Sequence, residues 1–375
     1  DGEGRAWVVT QGGMWRGDAA GKWRKAKGAA GGEIQYLAAA GSGWLAAVRG
    51  QGLVWLGKEG EARRTVEGSR EKELRDDFRH LLDRGGGGWW CGSKRGLFEL
   101  REGRLAPVRL PGSAVWPEDP REVGKPMGWV VDFGKDARGR WWAGSARGLL
   151  IYEGGQWRQW ETEGPRLEDV VSLAVRGAGE IWAVEKGKAG VARVRGRKVE
   201  RLGVGDDYGS GESLYVRVDQ RGWVWRGTEN GVYLSDGERV NPEDWLKVNG
   251  DRGVVANGFL EDRDGTVWLS DEEGVTRLKP RKEWFGAGSG EPRLTRVWVG
   301  GAPRRELPAE LPAAPVRLRL EFGKPEDEGL REDPVQYRVG GARAPWRRAR
   351  EGVVEMDAVM EGDYEIEVRQ LGKPG

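Results

Sequence analysis

A tryptophan followed by a turn that ends in glycine and an apolar residue occurs seven times along this chain. The clearest copies read WCGSKRGL, WAGSARGL and WRGTENGV. The seven tryptophans are Trp7, Trp44, Trp90, Trp142, Trp182, Trp225 and Trp268. Successive copies lie 37 to 52 residues apart, and self-similarity at such a period is the signature of a repeat architecture.

One repeat shows which secondary structure this period contains. Residues 170–202 hold four short β-branched or alternating segments that are joined by glycine-containing turns. This pattern predicts an antiparallel meander of four strands with the tryptophan on the second strand. Seven such sheets predict a seven-bladed β-propeller over residues 1–285. The repeat tryptophans are then expected to pack between neighbouring blades, and an aromatic ligand platform is the alternative.

The first repeat lacks a segment for its first strand, because Gly4 already belongs to the turn ahead of Trp7. We expect that an upstream segment has been removed. The alternative is that a segment within residues 279–296 supplies a strand and closes the ring.

The C-terminal part has a different pattern of longer, alternating segments. Five of them lie within residues 293–375, and VRLRLEF and YEIEVRQ alternate strictly, as expected for strands with one face in water. This region predicts a small immunoglobulin-like β-sandwich, truncated at its C-terminal end. The expected fold class is therefore all-β.

Charge and composition exclude several classes of function. The 62 basic and 60 acidic residues are interspersed, with a net charge of +2, so no nucleic-acid partner is expected. No apolar run approaches the roughly 20 residues that a membrane helix needs. The single cysteine, Cys91, is expected in the core, and the single histidine, His80, at the surface or at a strand edge of the third blade. We therefore predict no metal site, no cofactor, no catalytic residue and no enzymatic activity for this segment. Glycosidase chemistry with paired carboxylates stays open, because acidic residues are plentiful.

Charged loops provide the candidate ligand site. Turns between second and third strands share one face with the blade-joining loops, around the mouth of the predicted channel. These turns are basic in the earlier repeats and acidic in the later ones, which predicts a mouth polarised for an anionic or sugar-acid ligand; ordinary solvated loop charge is the alternative. The candidate ligand-binding residues are Arg49, Arg95, Arg147, Lys188, Trp116, Tyr208 and Glu229, accompanied by Lys94, Lys186, Glu272 and Glu273. Tryptophans outside the repeat, such as Trp116, Trp129 and Trp245, are expected to be freer to meet a ligand than the repeat tryptophans.

Both parts of the chain resemble one known arrangement. EDRDGTVWLSDEEGVTRL and DQRGWVWRGTENGVYL are similar to the blade motif of two-component regulator propellers. PVQYRVGGARAPW and MEGDYEIEVRQ resemble the three-Tyr β-sandwich that follows these propellers, with matches at Tyr337, Trp346 and Tyr364. Met356 stands where that pattern has its middle tyrosine.

The resemblance implies the extracytoplasmic sensing region of a bacterial inner-membrane receptor, in the periplasm or outside the cell. It further implies a membrane segment and a histidine kinase or other output domain downstream of Gly375, and a homodimer in the full-length receptor. The expected partner is a small molecule such as an oligosaccharide or an organic acid. The alternatives are a secreted propeller scaffold or carbohydrate-binding protein without signalling output, and a propeller lyase or hydrolase.

Overall fold

The computed structural model of this chain describes most of its residues. They are residues 5–10, 13–17, 22–26, 32–72, 74–110, 129–164, 166–202, 212–238, 245–248, 254–271, 274–280, 293–304, 315–323, 335–340, 347–349, 353–359 and 365–370. All regular secondary structure among them is β-strand, and none of these residues is helical, so the prediction of an all-β fold class is confirmed. No helix in this part of the chain is long and apolar enough to cross a membrane.

The chain divides into two compact units. The first comprises residues 1–188 and 192–200, and the second comprises residues 189–191 and 201–375. This division falls between the fifth and sixth repeats. The domain boundary expected between residues 285 and 293 stays a prediction.

The first unit contains five antiparallel meander sheets in chain order. The first sheet has three strands, β1 (Ala6–Thr10), β2 (Gly13–Gly17) and β3 (Trp23–Lys25). The second has four, β4 (Ile34–Ala40), β5 (Gly43–Val48), β6 (Gly52–Leu56) and β7 (Ala62–Thr65). The third comprises β8 (Phe78–Gly85), β9 (Gly88–Ser93), β10 (Gly96–Arg101) and β11 (Arg104–Pro107). The fourth comprises β12 (Val130–Lys135), β13 (Trp141–Ser145), β14 (Gly148–Glu153) and β15 (Gln156–Gln159). The fifth comprises β16 (Val170–Arg176), β17 (Glu180–Glu185), β18 (Val191–Arg195) and β19 (Lys198–Leu202).

The second unit continues the series with two more meander sheets. Their strands are β20 (Ser213–Val218), β21 (Val224–Thr228), β22 (Gly231–Ser235) and β23 (Leu246–Lys247), then β24 (Val254–Glu261), β25 (Val267–Asp271) and β26 (Val275–Leu278). In these two sheets and in the four-stranded sheets of the first unit, the repeat tryptophan lies on the second strand. Trp7 lies on the first strand of its sheet. The described residues of that sheet thus contain no strand ahead of the one that carries the tryptophan.

In the fourth, sixth and seventh sheets, an aspartate in the turn ahead of the motif tryptophan accepts a hydrogen bond from the indole N–H group. Asp136 shows how: Oδ1 accepts hydrogen bonds from the backbone N–H groups of Arg138 (3.0 Å) and Arg140 (2.9 Å). Its Oδ2 accepts from the side chains of Arg140 (2.8 Å) and Trp142 (3.2 Å). Asp219 and Asp262 bind their tryptophan indoles in the same way. Burial alone would raise the pKa of Asp136, but its hydrogen bonds and the Arg140 charge outweigh burial and hold that pKa below the ordinary value of 3.8.

The glycine two residues after the tryptophan lets the next sheet approach. A Cβ atom on Gly92 would lie 2.4 Å from the carbonyl oxygen of Val130, and one on Gly144 would lie 2.8 Å from a methyl group of Val170. Both neighbours start the first strand of the following sheet. The W-x-G spacing therefore packs consecutive sheets closely, with Trp90 and Trp142 at most 2% exposed.

The C-terminal strands form two further sheets around one core. The strands are β27 (Arg293–Val299), β28 (Ala302–Arg304), β29 (Val316–Gly323), β30 (Val335–Val339), β31 (Arg347–Arg348), β32 (Val353–Val359) and β33 (Ile366–Gln370). One sheet has the order β28-β27-β29-β32 and the other β31-β30-β33. Leu320 and Val354 of the first sheet and Val335 of the second share a hydrophobic core, on which Tyr337 and Met356 pack. Trp346 and Tyr364 lie outside the described residues.

Candidate functional site

A hydroxyl group fixes the turns that carry several predicted ligand-binding residues. Ser93 Oγ donates to the carbonyl of Gly96 (3.0 Å) and accepts from the backbone N–H of Arg95 (3.0 Å). Ser145 accepts in the same way from the N–H of Arg147 (3.2 Å). The Gly-Ser-x-x-Gly sequence thus closes each turn on itself and fixes the backbone from which Arg95 and Arg147 extend.

The same turn in the second unit carries Glu229. Thr228 Oγ1 donates to the carbonyl of Gly231 (2.9 Å) and accepts from the N–H of Asn230 (3.1 Å). Glu229 is exposed at this turn. Trp116 and Tyr208 lie outside the described residues, as do Glu272 and Glu273. Of the acidic turn residues predicted around the channel mouth, the structure therefore describes only Glu229.

Carboxylates next to the predicted basic residues balance much of their charge. Arg49 pairs with Glu33 (Nη1 to Oε2, 3.0 Å), and Arg95 pairs with Asp77 (Nε to Oδ2, 2.9 Å). Both carboxylates belong to segments that enter the first strand of a sheet. A bidentate ligand would have to compete with these carboxylates for either guanidinium. The positive charge that the basic turns offer to a ligand is therefore smaller than the turn residues alone suggest.

The fifth sheet repeats this pairing. Lys188 Nζ lies 2.8 Å from Oε1 of Glu185, a carboxylate that is buried on the second strand. Lys186 extends over the ring of Trp129, with 4.9 Å between the ammonium nitrogen and the ring centroid. Trp245 is only 5% exposed. The expectation that Trp245 is freer to meet a ligand was therefore wrong, whereas Trp129 is half-buried with the Lys186 ammonium group over its ring.

His80 was expected at the surface or at a strand edge; it lies on β8, the outermost strand of its sheet, but it is only 8% exposed, so the surface placement was wrong. It belongs to a row of polar side chains on neighbouring first strands, which we call the polar chain and define as Tyr36, His80, Asp132 and Ser172. The Tyr36 hydroxyl lies 3.0 Å from His80 Nε2, and the two rings stack with centroids 4.6 Å apart. His80 Nδ1 lies 2.7 Å from Oδ1 of Asp132, a contact that does not meet the geometry of a regular hydrogen bond.

Asp132 is the centre of the polar chain. Its Oδ2 accepts hydrogen bonds from Ser172 Oγ (2.7 Å) and from the N–H of Leu173 (3.0 Å). Its Oδ1 accepts from the N–H of Phe133 (3.0 Å) and faces His80. The polar chain therefore joins β4 to β8, β8 to β12 and β12 to β16, three consecutive sheet-to-sheet contacts.

A β-bulge precedes every member of the polar chain. In β4 the register passes from Ile34 directly to Tyr36, and β8, β12 and β16 shift at the equivalent point. One residue per strand is thereby left without a cross-strand partner, and we call these the bulge residues: Gln35, Arg79, Val131 and Val171. All four are half-buried. Bulges re-aim side chains and are frequent beside binding sites, and these lie at the same end of the sheets as the turns of Arg49 and Arg95.

The Cys91 thiol and the acidic side chains are also candidate reactive groups. Cys91 is fully buried, and burial raises the pKa of its thiol, so the reactive thiolate is suppressed. No group of three or more His, Cys, Asp or Glu side chains is placed to hold a metal ion in the part of the chain that the structure describes.

Comparison with known proteins supports the fold. No family model matches the chain, and no curated protein matches it in sequence. Its structure is similar to the extracellular domain of a protein named as a hybrid two component system of B. thetaiotaomicron, with a TM-score of 0.66 and 15% identity over 100% of this chain. The chain spans about half, 53%, of the length of that structure.

Two further structures are similar over about three quarters of the chain. The WD40 β-propeller domain of Doa1 matches with a TM-score of 0.54 and 12% identity over 75% of this chain and 90% of that one. YCF48 bound to D1 peptide matches with a TM-score of 0.53 and 13% identity over 74% of this chain and 90% of that one. At such identities the similarity establishes the fold alone, an all-β fold built on a β-propeller.

Proposed function

We propose that this chain is the extracytoplasmic ligand-sensing region of a membrane-bound signalling receptor of the two-component type. The observation that carries the proposal is the similarity to an extracellular domain of a protein so named, which extends over the whole chain and so includes its C-terminal sheets. The repeat motif and the Tyr337 segment, which resemble the same class of receptor, support it from the sequence.

In this proposal the ligand binds where the first strands of the second to fifth sheets begin. The polar chain ties these strands together, and rigid strands hold a binding site more accurately than free loops do. The bulge residues and the turns of Arg49 and Arg95 supply polar groups at that end of the sheets. Binding there has to favour one arrangement of the receptor over another, because a ligand with equal affinity for both arrangements does not shift the equilibrium between them.

The signal is proposed to pass through the C-terminal sandwich. In a homodimer, ligand binding or contact through the propeller would change the placement of two sandwiches, and a membrane segment and kinase domain downstream would respond. The segment itself would bind and not catalyse, and it would lie in the periplasm or outside the cell.

A thermal-shift screen of the chain tests the binding step. The compounds are neutral oligosaccharides, sugar acids and small organic acids. A ligand that binds only the native state at 100 times its Kd stabilises it by about 2.7 kcal/mol, so at least one class should raise the Tm measurably. Sedimentation velocity with and without that compound then tests dimer formation. A screen in which no class raises the Tm would contradict the proposal.

A further inference from the structure

Arg79 differs from the other cations near it. It is the bulge residue of β8 and is half-buried. Its Nη1 donates to Oε1 of Gln35 (2.7 Å) and to the carbonyl of Phe78 (3.1 Å). Among the described residues these are its only hydrogen bonds, and no carboxylate oxygen lies within 4.0 Å of the guanidinium. Arg49 and Arg95, in contrast, each have a carboxylate partner. Within the described part of the chain, the Nε and Nη2 donors of Arg79 therefore have no acceptor.

Gln35 adds donors at the neighbouring bulge. Its Oε1 accepts from Arg79, so the amide must turn its Nε2 group the other way. That group makes no hydrogen bond within the described part of the chain. Among the described residues, donors on β4 and β8 thus have no acceptors at equivalent positions in the first strands of two neighbouring sheets.

Burial makes the guanidinium of Arg79 receptive to an anion. Burial is the largest influence on its pKa and lowers it, and the charge of Arg49 lowers it further, against the opposing effect of Asp77, Asp76 and Glu33. A charge that has lost part of its hydration is stabilised by an opposite charge more than an exposed one is.

We propose that Arg79 and Gln35 form a subsite for the carboxylate group of a small organic or sugar acid. This inference rests on the proposed function, because it names the ligand class of the same site. The Nε and Nη2 edge of Arg79 engages both carboxylate oxygens, and Gln35 Nε2 donates to one of them. Because Glu33, Asp76 and Asp77 all act on Arg79, a dianion such as phosphate meets more repulsion than a monoanion does.

The polar chain holds this subsite in shape. Tyr36 and His80 directly follow the two bulge residues, and their stacking and hydrogen bond fix β4 against β8 at this point. The two donor groups are therefore already adjacent before a ligand arrives, which reduces the entropy lost on binding.

Titrations of the full chain at constant ionic strength test the subsite, with sodium glucuronate, sodium acetate, glucose and inorganic phosphate as probes. Binding is followed by isothermal calorimetry and by the NMR signal of the Arg79 Nε–H group. We expect saturable binding of glucuronate, weaker binding of acetate and none of glucose. Arg79→Gln should weaken glucuronate binding by about 10- to 100-fold, and Arg79→Lys by less, because it keeps the charge without the planar fork.

Two further variants keep the result interpretable. Gln35→Ala retains the guanidinium and should weaken glucuronate binding by several-fold, while Arg63→Gln, an exposed change on β7, should leave it unaltered. Circular dichroism verifies that each variant is folded. Unchanged affinity in Arg79→Gln, no binding of either carboxylate to the wild type, or tighter binding of phosphate than of glucuronate would overturn the subsite.

The two proposals fail in different ways. If a neutral oligosaccharide raises the Tm of the wild type and of Arg79→Gln equally, the sensing function stands and the carboxylate subsite is refuted. If glucuronate binds through Arg79 but never alters a receptor's output, the subsite stands and the sensing function is refuted.

Discussion

Replacing Asp132 with alanine should be among the most destabilising single changes in the first unit. Asp132 is 2% exposed and accepts hydrogen bonds from Ser172 Oγ and from the N–H groups of Leu173 and Phe133, while facing His80. Each buried donor that loses its acceptor costs about 1–3 kcal/mol. Water that enters the vacated space would satisfy some of these donors. Three such donors would together cost about 3–9 kcal/mol if none found a new acceptor, so with water present we expect a loss of about 3–5 kcal/mol.

Urea unfolding measures this loss, with tryptophan fluorescence and circular dichroism as independent probes. Asp132→Asn is the matched control: it keeps the shape but replaces one acceptor by a donor, and we expect a loss of about 2–4 kcal/mol. A double-mutant cycle with Ser172→Ala should give a coupling of about 0.5–3 kcal/mol. A loss below about 1 kcal/mol for the alanine variant, or a coupling of zero, would refute the role given to the polar chain.

Three further predictions concern the repeat motif. Gly92→Ala places a Cβ atom 2.4 Å from the Val130 carbonyl oxygen. The free energy of unfolding, measured with urea, should therefore fall by about 1–3 kcal/mol. An unchanged free energy would contradict the close packing of consecutive sheets. Ser145→Ala removes the hydroxyl that closes its turn and should cost about 1 kcal/mol in the same assay, whereas a neutral result would show that the glycines suffice. Asp136 has a folded-state pKa below its ordinary value, so its stabilisation is complete above about pH 4 and is lost as the pH falls through that lower pKa. The free-energy difference between the wild type and Asp136→Asn, measured by urea unfolding from pH 7 to pH 2, should therefore shrink in acid, and a constant difference would contradict the assignment.

Much of the fold could be predicted because the signals are local. The tryptophan, the glycine two residues later and the serine or threonine that follows lie within one hairpin, so their spacing in the sequence reflects their spacing in space. Asp136 binds the indole of Trp142 only six residues away. Such contacts repeat from sheet to sheet, which makes them visible as a period in a single sequence.

The candidate site could be predicted less well, because its contacts join residues that are far apart in sequence. His80 meets Tyr36 44 residues earlier, across two neighbouring sheets, and nothing in the alternation of either strand shows this partner. The bulge that turns Arg79 out of register breaks the two-residue period on which strand prediction relies. The prediction of basic turns at the channel mouth did not include Glu33 and Asp77, because these carboxylates lie in the connecting segments and not in the turns.

The central claim, that this chain senses a ligand for a receptor, is tested most directly by a chimeric receptor. The chain is joined to the membrane helix and histidine kinase of a receptor whose output drives a reporter, and the reporter is measured with each compound that raises the Tm in solution. The account predicts that the reporter responds to a carboxylate-bearing ligand and that Arg79→Gln, present at the same level, needs about 10- to 100-fold more ligand for the same response. A reporter that stays constant with ligands that bind the chain in solution would contradict it.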